Sequence, residues 1–252
     1  MNAWIKAETI KIKNNPLLIT SLVLTFIFMV YIVFDPFPYA ELRIPGYFSS
    51  VFLLSLTILG IVPIIILGSF LSYQEHSWNT FQLLLNSYNR VQTFFYKTCY
   101  ILIASFLLTT VTTLFSWVVH IFLGAPGQLF ISQIIFQIVS VSLICFFWGE
   151  LAFVVALLTK NVAFSIGALF LLNVLEPSLY LSFNENLLKY FIVFNQKGLL
   201  SHTFSNLIEG SYIIVPIGDY PSFLWSILYQ AILISVILFV GYQYIKKCPI
   251  NS

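Results

Sequence analysis

Long apolar runs alternate with short polar segments along this chain. Six runs come near or exceed the length of about 20 residues that a helix needs to cross the hydrocarbon core of a membrane. They cover residues 16–34, 48–73, 98–123, 129–158, 162–181 and 222–245. The pattern predicts an all-α membrane protein with six transmembrane helices, in which residues 1–252 form one transmembrane domain.

The composition agrees with this pattern and excludes several classes of function. Hydrophobic residues make up 60% of the chain and charged residues 8%, against about 45–50% and 25% in soluble domains. The net charge of +2, without a long basic tract, argues against a nucleic-acid partner. The short connections leave no room for a soluble catalytic domain, and the sequence has no G-x-x-x-x-G-K-[ST] phosphate loop. The three cysteines are scattered and predict no disulfide framework.

The lysines and arginines predict the orientation, because positive flanks are retained on the cytoplasmic side. With the N-terminus inside, the cytoplasmic face receives eight of them: Lys6, Lys11, Lys13, Arg90, Lys97, Lys160, Lys246 and Lys247. The outer face receives three: Arg43, Lys189 and Lys197. We therefore expect both termini in the cytoplasm, residues 74–97 inside and residues 182–221 outside.

The N-terminal region is predicted to stay attached and to lie at the inner surface. The first apolar run is longer than the core of a signal peptide and ends in Asp35-Pro36-Phe37-Pro38 without a small-residue cleavage site. Ahead of it, an apolar stripe and three lysines predict an interfacial amphipathic helix. The stripe consists of Ala3, Trp4, Ala7 and Ile10.

Residues 74–97 are too polar to continue the second span, but Phe81, Leu84, Leu85 and Tyr88 fall at helical spacing. This spacing predicts a short amphipathic helix at the inner surface. Ser77 can accept a backbone N–H at its start, and Arg90 near its end suits the helix dipole and anionic head groups.

This segment resembles the loop between the second and third spans in permease subunits of ABC-2-type exporters. That loop reads Glu-x-x-x-Gly-Thr, then Leu-Leu, then Pro-x-x-Arg, with a lysine seven residues further on. Matching positions are Glu75, Thr80, Leu84, Leu85, Arg90 and Lys97. Asn79 stands in place of the glycine and Ser87 in place of the proline. The six spans and the basic N-terminal segment extend the resemblance over the whole layout.

The resemblance implies a membrane subunit that works with a separate ABC ATPase, which binds ATP and Mg²⁺, while this chain has no catalytic or metal site and no cofactor of its own. A second permease copy or a paralogue would complete a dimer in the bacterial plasma membrane. The cytoplasmic loop helix would dock on the ATPase. The implied ATPase-coupling residues are Glu75, Thr80, Phe81, Leu84, Leu85, Tyr88 and Arg90. The alternative interpretation is an interfacial helix that only joins two spans.

Two polar stripes in the third and fourth spans are candidates for a translocation path. The third span carries Ser105, Thr109, Thr113, Ser116 and His120. The fourth adds Gln133, Gln137 and Ser140. Such side chains avoid lipid, so they either line a path or form hydrogen bonds between helices.

Two carboxyl groups lie within the predicted spans. Glu150 precedes Lys160 by about 15 Å along a helix axis, well inside the hydrocarbon, and its neighbour Gly149 indicates a close helix contact. Glu150 has either a conformational or substrate-facing role, or a structural hydrogen bond. Glu176, next to Pro177, is interpreted as a helix-end carboxyl near water at the outer surface. Beyond it, the apolar patches of residues 182–221 predict two short helices at the outer interface.

We therefore expect the permease subunit of an ATP-driven exporter of a hydrophobic or amphipathic cargo, with a peptide such as a bacteriocin, lantibiotic or amphipathic toxin as the leading class. A gradient-driven transporter is the first alternative, with Glu150 as its proton carrier. A membrane-embedded enzyme is the second. His76, His120 and His202 form no metal-binding motif.

Overall fold

The computed structural model describes residues 15–34, 45–77, 90–124, 127, 131–183, 185–204 and 220–247. Every regular element in these ranges is a helix, as predicted. In chain order the helices are α1 (Pro16–Phe34), α2 (Pro45–Ile58), α3 (Ile61–Ser77), α4 (Arg90–Leu123), α5 (Ile131–Thr159), α6 (Val162–Leu179), α7 (Glu185–Leu188), α8 (Ile192–Phe204) and α9 (Phe223–Lys247). A 3-10 turn, Tyr180–Ser182, follows α6.

Four helices, α4, α5, α6 and α9, are long and apolar enough to cross a membrane. Helices α2 and α3 pass the same test only when they are counted together. The apolar part of α1, Pro16–Tyr31, is shorter. The predicted all-helical class is therefore confirmed, with the apolar helices of a membrane protein, and the count of six spans stays a prediction. The predicted N-terminal interfacial helix lies outside the described residues.

The second predicted span is broken between α2 and α3, which are bent by 44° to each other. Pro63 has no N–H to donate to the carbonyl of Leu59, which instead accepts the N–H of Val62 at 3.1 Å. The carbonyl of Ser55 accepts both the N–H of Leu59 and that of Gly60, which closes the last turn of α2. This break was not predicted from the sequence, although Gly60 and Pro63 are residue types that commonly kink or end a helix.

Helix α5 lies at the centre of the bundle. Its most apolar stretch is 78% buried, against 17% for α9. Its closest contact is with α3, because a Cβ atom placed on Gly68 would lie 2.1 Å from the carbonyl oxygen of Gly149. The backbones of α3 and α5 therefore touch. The close helix contact expected at Gly149 is confirmed.

Helix α4 separates polar from apolar side chains by face. Its outward face carries large apolar side chains, including Ile103, Phe106, Leu107 and Ile121, which are all exposed. Its other face buries the hydroxyl groups of the predicted polar stripe. A helix with this division fits a lipid-facing position, because apolar side chains face hydrocarbon at no cost while hydroxyl groups prefer partners inside the bundle.

Candidate functional site

The polar stripe of α4 faces the interior of the bundle, as its spacing predicted. Ser105, Thr109, Thr113 and Ser116 are all buried. His120, at the C-terminal end of the stripe, is partly exposed, and its ring meets the Phe48 ring edge to face at 5.3 Å.

Two members of this stripe form hydrogen bonds with neighbouring helices. Thr109 Oγ1 lies 2.6 Å from Ser142 Oγ on α5. Ser116 Oγ lies 3.3 Å from Ser49 Oγ on α2, and Trp117 Nε1 donates to the same Ser49 oxygen at 2.9 Å. Thr113 instead donates to its own helix, at the carbonyl of Thr109.

The polar stripe of α5 also meets α2. Gln137 is buried, and its Nε2 donates to Ser50 Oγ at 3.0 Å. Ser140 is buried as well. Gln133 is partly exposed, and its Oε1 has no hydrogen-bond partner among the described residues.

Helix α2 therefore lies between the two stripes. Ser49 and Ser50 are consecutive, so they point about 100° apart on the helix, one toward α4 and the other toward α5. In the structure, each stripe therefore contacts α2. Sequence analysis missed both serines, because a pair of small polar residues near the start of an apolar run has no periodicity of its own.

A second polar group consists of Leu71, Lys97, Thr98, Glu150 and Phe153, and we call it the inner junction after the orientation predicted from the sequence. Glu150 on α5 is 0% exposed, and its Oε1 accepts the hydroxyl of Thr98 on α4 at 2.9 Å. Its other oxygen, Oε2, has no hydrogen-bond partner in the described part of the chain. A carboxyl group with an unfilled acceptor can take a further donor when the helices around it move.

Lys97 completes the inner junction. Lys97 is one of the positive residues predicted for the cytoplasmic face, yet its side chain is only 2% exposed. Its Nζ donates to the carbonyl oxygen of Leu71 on α3 and lies 6.0 Å from the centre of the Phe153 ring on α5. A hydrogen bond to a backbone carbonyl and a cation–π contact compensate for its burial. Lys97 therefore links α3, α4 and α5.

The predicted ATPase-coupling residues adjoin the inner junction in sequence. Glu75 lies near the end of α3 and Arg90 begins α4, but only their backbones are described. Thr80, Phe81, Leu84, Leu85 and Tyr88 lie outside the described residues. Their role stays a prediction.

At the other end of the bundle, Glu176 forms what we call the outer cap. Its Oε1 accepts the N–H groups of Val193 at 2.5 Å and Phe194 at 3.2 Å, and the hydroxyl of Tyr180 at 3.2 Å. Its Oε2 accepts the N–H of Ile192 at 3.2 Å. Glu176 is only 4% exposed, so the interpretation as a carboxyl near water is wrong. The prediction rested on its position on α6 alone, whereas three of its four hydrogen-bond donors come from α8.

Charged and aromatic groups surround the outer cap. Burial raises the pKa of the Tyr180 hydroxyl, and the negative charge of Glu176 raises this pKa further. Burial lowers the pKa of the Lys197 amine, and the Glu176 carboxylate opposes that shift. Lys197 Nζ also lies 5.4 Å from the centre of the Tyr180 ring. The rings of Tyr180, Phe194 and Tyr220 pack together beside it.

The described part of residues 182–221 contains two helices, α7 and α8, and α8 is buried more deeply than an interfacial helix. Val193, Phe194, Leu199 and Leu200 are buried, and Trp148 Nε1 on α5 donates to Gln196 Oε1 at 3.0 Å. Helix α8 thus packs against the core. Residues 205–219, where a further apolar patch was predicted, lie outside the described residues.

In the described ranges, these features define an all-helical protein with apolar helices around a central helix, and with one buried carboxyl at each end of its polar interior. Within the described ranges, no cluster of three or more His, Cys, Asp or Glu side chains is arranged to hold a metal ion. No family model, curated protein or solved structure matches this chain.

Proposed function

We propose that this chain is the permease subunit of an ABC exporter in the plasma membrane. It would have six spans, both termini in the cytoplasm, and a separate ATPase subunit that binds ATP and Mg²⁺. Two permease copies, or this chain and a paralogue, would form the membrane part. The loop resemblance and the apolar helices support the proposal.

The inner junction is the observation that carries the proposal. The segment 78–89, which resembles the ATPase-docking loop, joins the end of α3 to the start of α4. Lys97 links α4 to α3 by a hydrogen bond to the carbonyl of Leu71, and Thr98 links α4 to α5 by a hydrogen bond to Glu150. A displacement of the segment by an ATPase would therefore move α3 and α4 together and act on the central helix. An interfacial helix that only joined two spans would need no such linkage.

The polar stripes can line a translocation path for the cargo only if α2 moves. In this conformation Ser49 contacts one member of the α4 stripe, Ser116, and Ser50 contacts one member of the α5 stripe, Gln137. The break before α3 is a point at which α2 can change its angle. We propose that tilting of α2 exposes Thr109, Thr113, Ser116, His120, Gln133 and Gln137 to the cargo. Hydrogen bonds between membrane helices average about 0.6 kcal/mol, so their exchange is inexpensive.

The cargo that fits best is hydrophobic or amphipathic. Aromatic residues make up 18% of the chain and charged residues 8%, so the interior offers ring surfaces, hydroxyls and amides but few charges. A peptide toxin, bacteriocin or lantibiotic carries this mixture of apolar and amide groups. Export or self-protection is the role we propose for it, with drugs and lipids as the next classes.

A gradient-driven transporter is the second candidate, and one observation favours it. Glu150 is a buried intramembrane carboxyl with an unfilled acceptor oxygen, as a proton-carrying residue requires. In that case transport would follow the proton gradient and would not need an ATPase.

Cysteine cross-linking tests the ATPase contact. In a variant in which Cys99, Cys145 and Cys248 are replaced by serine, Thr80→Cys should cross-link to a cysteine on the co-expressed ATPase in membranes. The matched control is Ser182→Cys, which is exposed at the opposite end of the bundle. Cross-linking at residue 182 but not at residue 80 would show that the proposed orientation is wrong. Absence of cross-linking at both positions would contradict the docking role of the segment.

A further inference from the structure

One side chain from another helix accepts three of the four N–H groups at the N-terminus of α8. The first four N–H groups of an α-helix have no partner within the helix. Here Phe191 donates to the carbonyl of Leu188, and the next three residues all donate to Glu176. The Tyr180 hydroxyl is a fourth donor to the same carboxyl group, so that Oε1 accepts three hydrogen bonds and Oε2 accepts one. Its negative charge also lies at the positive end of the helix dipole.

Polar atoms in and around the body of α8 are hydrogen-bonded less completely than those at its N-terminus. Gln196 receives the Trp148 N–H through Oε1, but its Nε2 has no partner among the described residues. Gly198 lies against Ser226 on α9, where an added Cβ atom would be 2.6 Å from the serine Oγ. That hydroxyl and both amide atoms of Gln230, one turn further along α9, are buried without a hydrogen-bond partner in the described ranges.

The N-terminus and the body of α8 differ in how completely their polar groups are hydrogen-bonded in this conformation. Each unpaired buried polar group costs free energy, and movement that admits water or a polar cargo group removes that cost. The N-terminus has nothing comparable to gain, since each of its N–H donors has a partner. Glycine at position 198 lets α8 lie close to Ser226 without a side chain that would fix the contact.

We propose that Glu176 is a positioning residue for transport: it anchors the N-terminus of α8 while the body of α8 separates from Ser226 and Gln230 on α9 during the transport cycle. The movement uncovers a polar surface between α5, α8 and α9 at the outer half of the bundle. The role in transport rests on the proposed function, whereas the anchoring of α8 does not.

Thiol labelling from the outside tests the anchor without an ATPase. In the variant lacking native cysteines, Ser226→Cys lies beneath α8 and should react slowly with a membrane-impermeant charged maleimide. Adding Glu176→Gln keeps the size of the side chain but removes its charge, and should accelerate labelling about tenfold or more. Ser222→Cys, exposed one turn earlier, should label quickly with or without the change. The control substitution Ser178→Ala, on the exposed end of the same helix, should leave labelling at residue 226 unchanged.

A milder variant covers the case in which Glu176→Gln does not accumulate in the membrane. Tyr180→Phe removes one of the four donors to Glu176 and should produce a smaller acceleration, of a few fold. Unchanged labelling in both Glu176→Gln and Tyr180→Phe would overturn the anchor.

A disulfide tests the movement. Gly198→Cys paired with Ser226→Cys places the two sulfur atoms within bonding reach, because the Cβ position of residue 198 already lies 2.6 Å from the Ser226 side-chain oxygen. In the complex with its ATPase, oxidation should suppress transport-coupled ATP hydrolysis and dithiothreitol should restore it. Each single-cysteine protein, treated identically, is the control.

The outcomes separate this inference from the proposed function. Undiminished ATP hydrolysis by a fully oxidised complex would overturn the movement of α8. If no ATPase associates with the chain, the proposed function fails, while the effect of Glu176→Gln on labelling still decides the anchor.

Discussion

The inner junction and the outer cap each contain one buried carboxyl group, but they satisfy it differently. Glu176 accepts four hydrogen bonds, three of them from the backbone of another helix. Glu150 accepts one, from Thr98, and its second oxygen has no hydrogen-bond partner in the described ranges. The two side chains are almost equally buried, because Glu176 is 4% exposed and Glu150 is 0% exposed.

Burial alone therefore does not distinguish a structural carboxyl from one that changes partners. Its four hydrogen bonds make Glu176 a fixed point, because any movement of its donors loses hydrogen bonds. The unfilled acceptor of Glu150 leaves room for a new donor, from water, a neighbouring helix or the cargo. On this account the outer cap stays in place during transport and the inner junction rearranges.

The largest effect on stability is expected from Glu176→Ala. It removes the acceptor of four donors, three of which belong to a helix terminus, and should lower the free energy of unfolding by on the order of 3–5 kcal/mol. Glu150→Ala leaves one hydroxyl donor without its partner and should cost about 1–2 kcal/mol. Thermal unfolding in detergent, followed by tryptophan fluorescence, measures both. Equal losses would remove the distinction between the two carboxyls.

A smaller loss is expected from Gly68→Ala, which acts on the helix contact beside Glu150. Its Cβ atom would meet the carbonyl oxygen of Gly149 at 2.1 Å, so α3 must move away from α5 at a cost of about 1–3 kcal/mol. Gly167→Ala is the matched control, because a Cβ atom there has nothing within 4 Å. If both variants unfold at the wild-type temperature, the backbones of α3 and α5 are not in contact.

Lys97→Met should cost about 1–2 kcal/mol, because it keeps the apolar part of the side chain and removes the donor to the Leu71 carbonyl. This bond links α3 to α4. We therefore expect the coupling between ATP hydrolysis and transport to decrease even where the protein remains folded and abundant. Lys160→Met, at an exposed lysine, is the control for the loss of a positive charge. Normal coupling in Lys97→Met would show that the inner junction does not transmit force.

Glu150→Gln should change stability least, within about 1 kcal/mol, because the amide retains the shape and can still accept from Thr98. If the carboxyl acts in transport, assembly and ATPase docking remain intact while export, or its coupling to ATP hydrolysis, decreases. Full export at normal abundance would reject the functional role. Failure to assemble would favour a packing role.

The all-helical class and the apolar character of the helices could be predicted from the sequence, because they depend on local apolar runs. The inward orientation of Thr109 and Gln137 followed from helical spacing for the same reason. The break before Ile61 was missed, since Gly60 and Pro63 interrupt a run that is otherwise uniformly apolar. The charge pattern also put Lys97 on the cytoplasmic face without predicting that its side chain is buried.

The partners of the polar residues could not be predicted, because they lie far apart along the chain. Glu176 binds residues 192–194 across a turn, and Gln137 binds Ser50 across two other helices. No periodicity of a single helix contains this information. The charge of Glu176 was visible in the sequence, but the helix that it caps was not.

The most direct test of the account is purification of the tagged chain from its own membranes, followed by ATP hydrolysis assays and mass spectrometry. We predict that an ABC ATPase accompanies the chain, that the complex hydrolyses ATP, and that the chain freed of this partner neither binds nor hydrolyses ATP, since its sequence has no phosphate loop. Specific ATP hydrolysis by the partner-free chain, or transport that follows a proton gradient with no ATPase present, would contradict it.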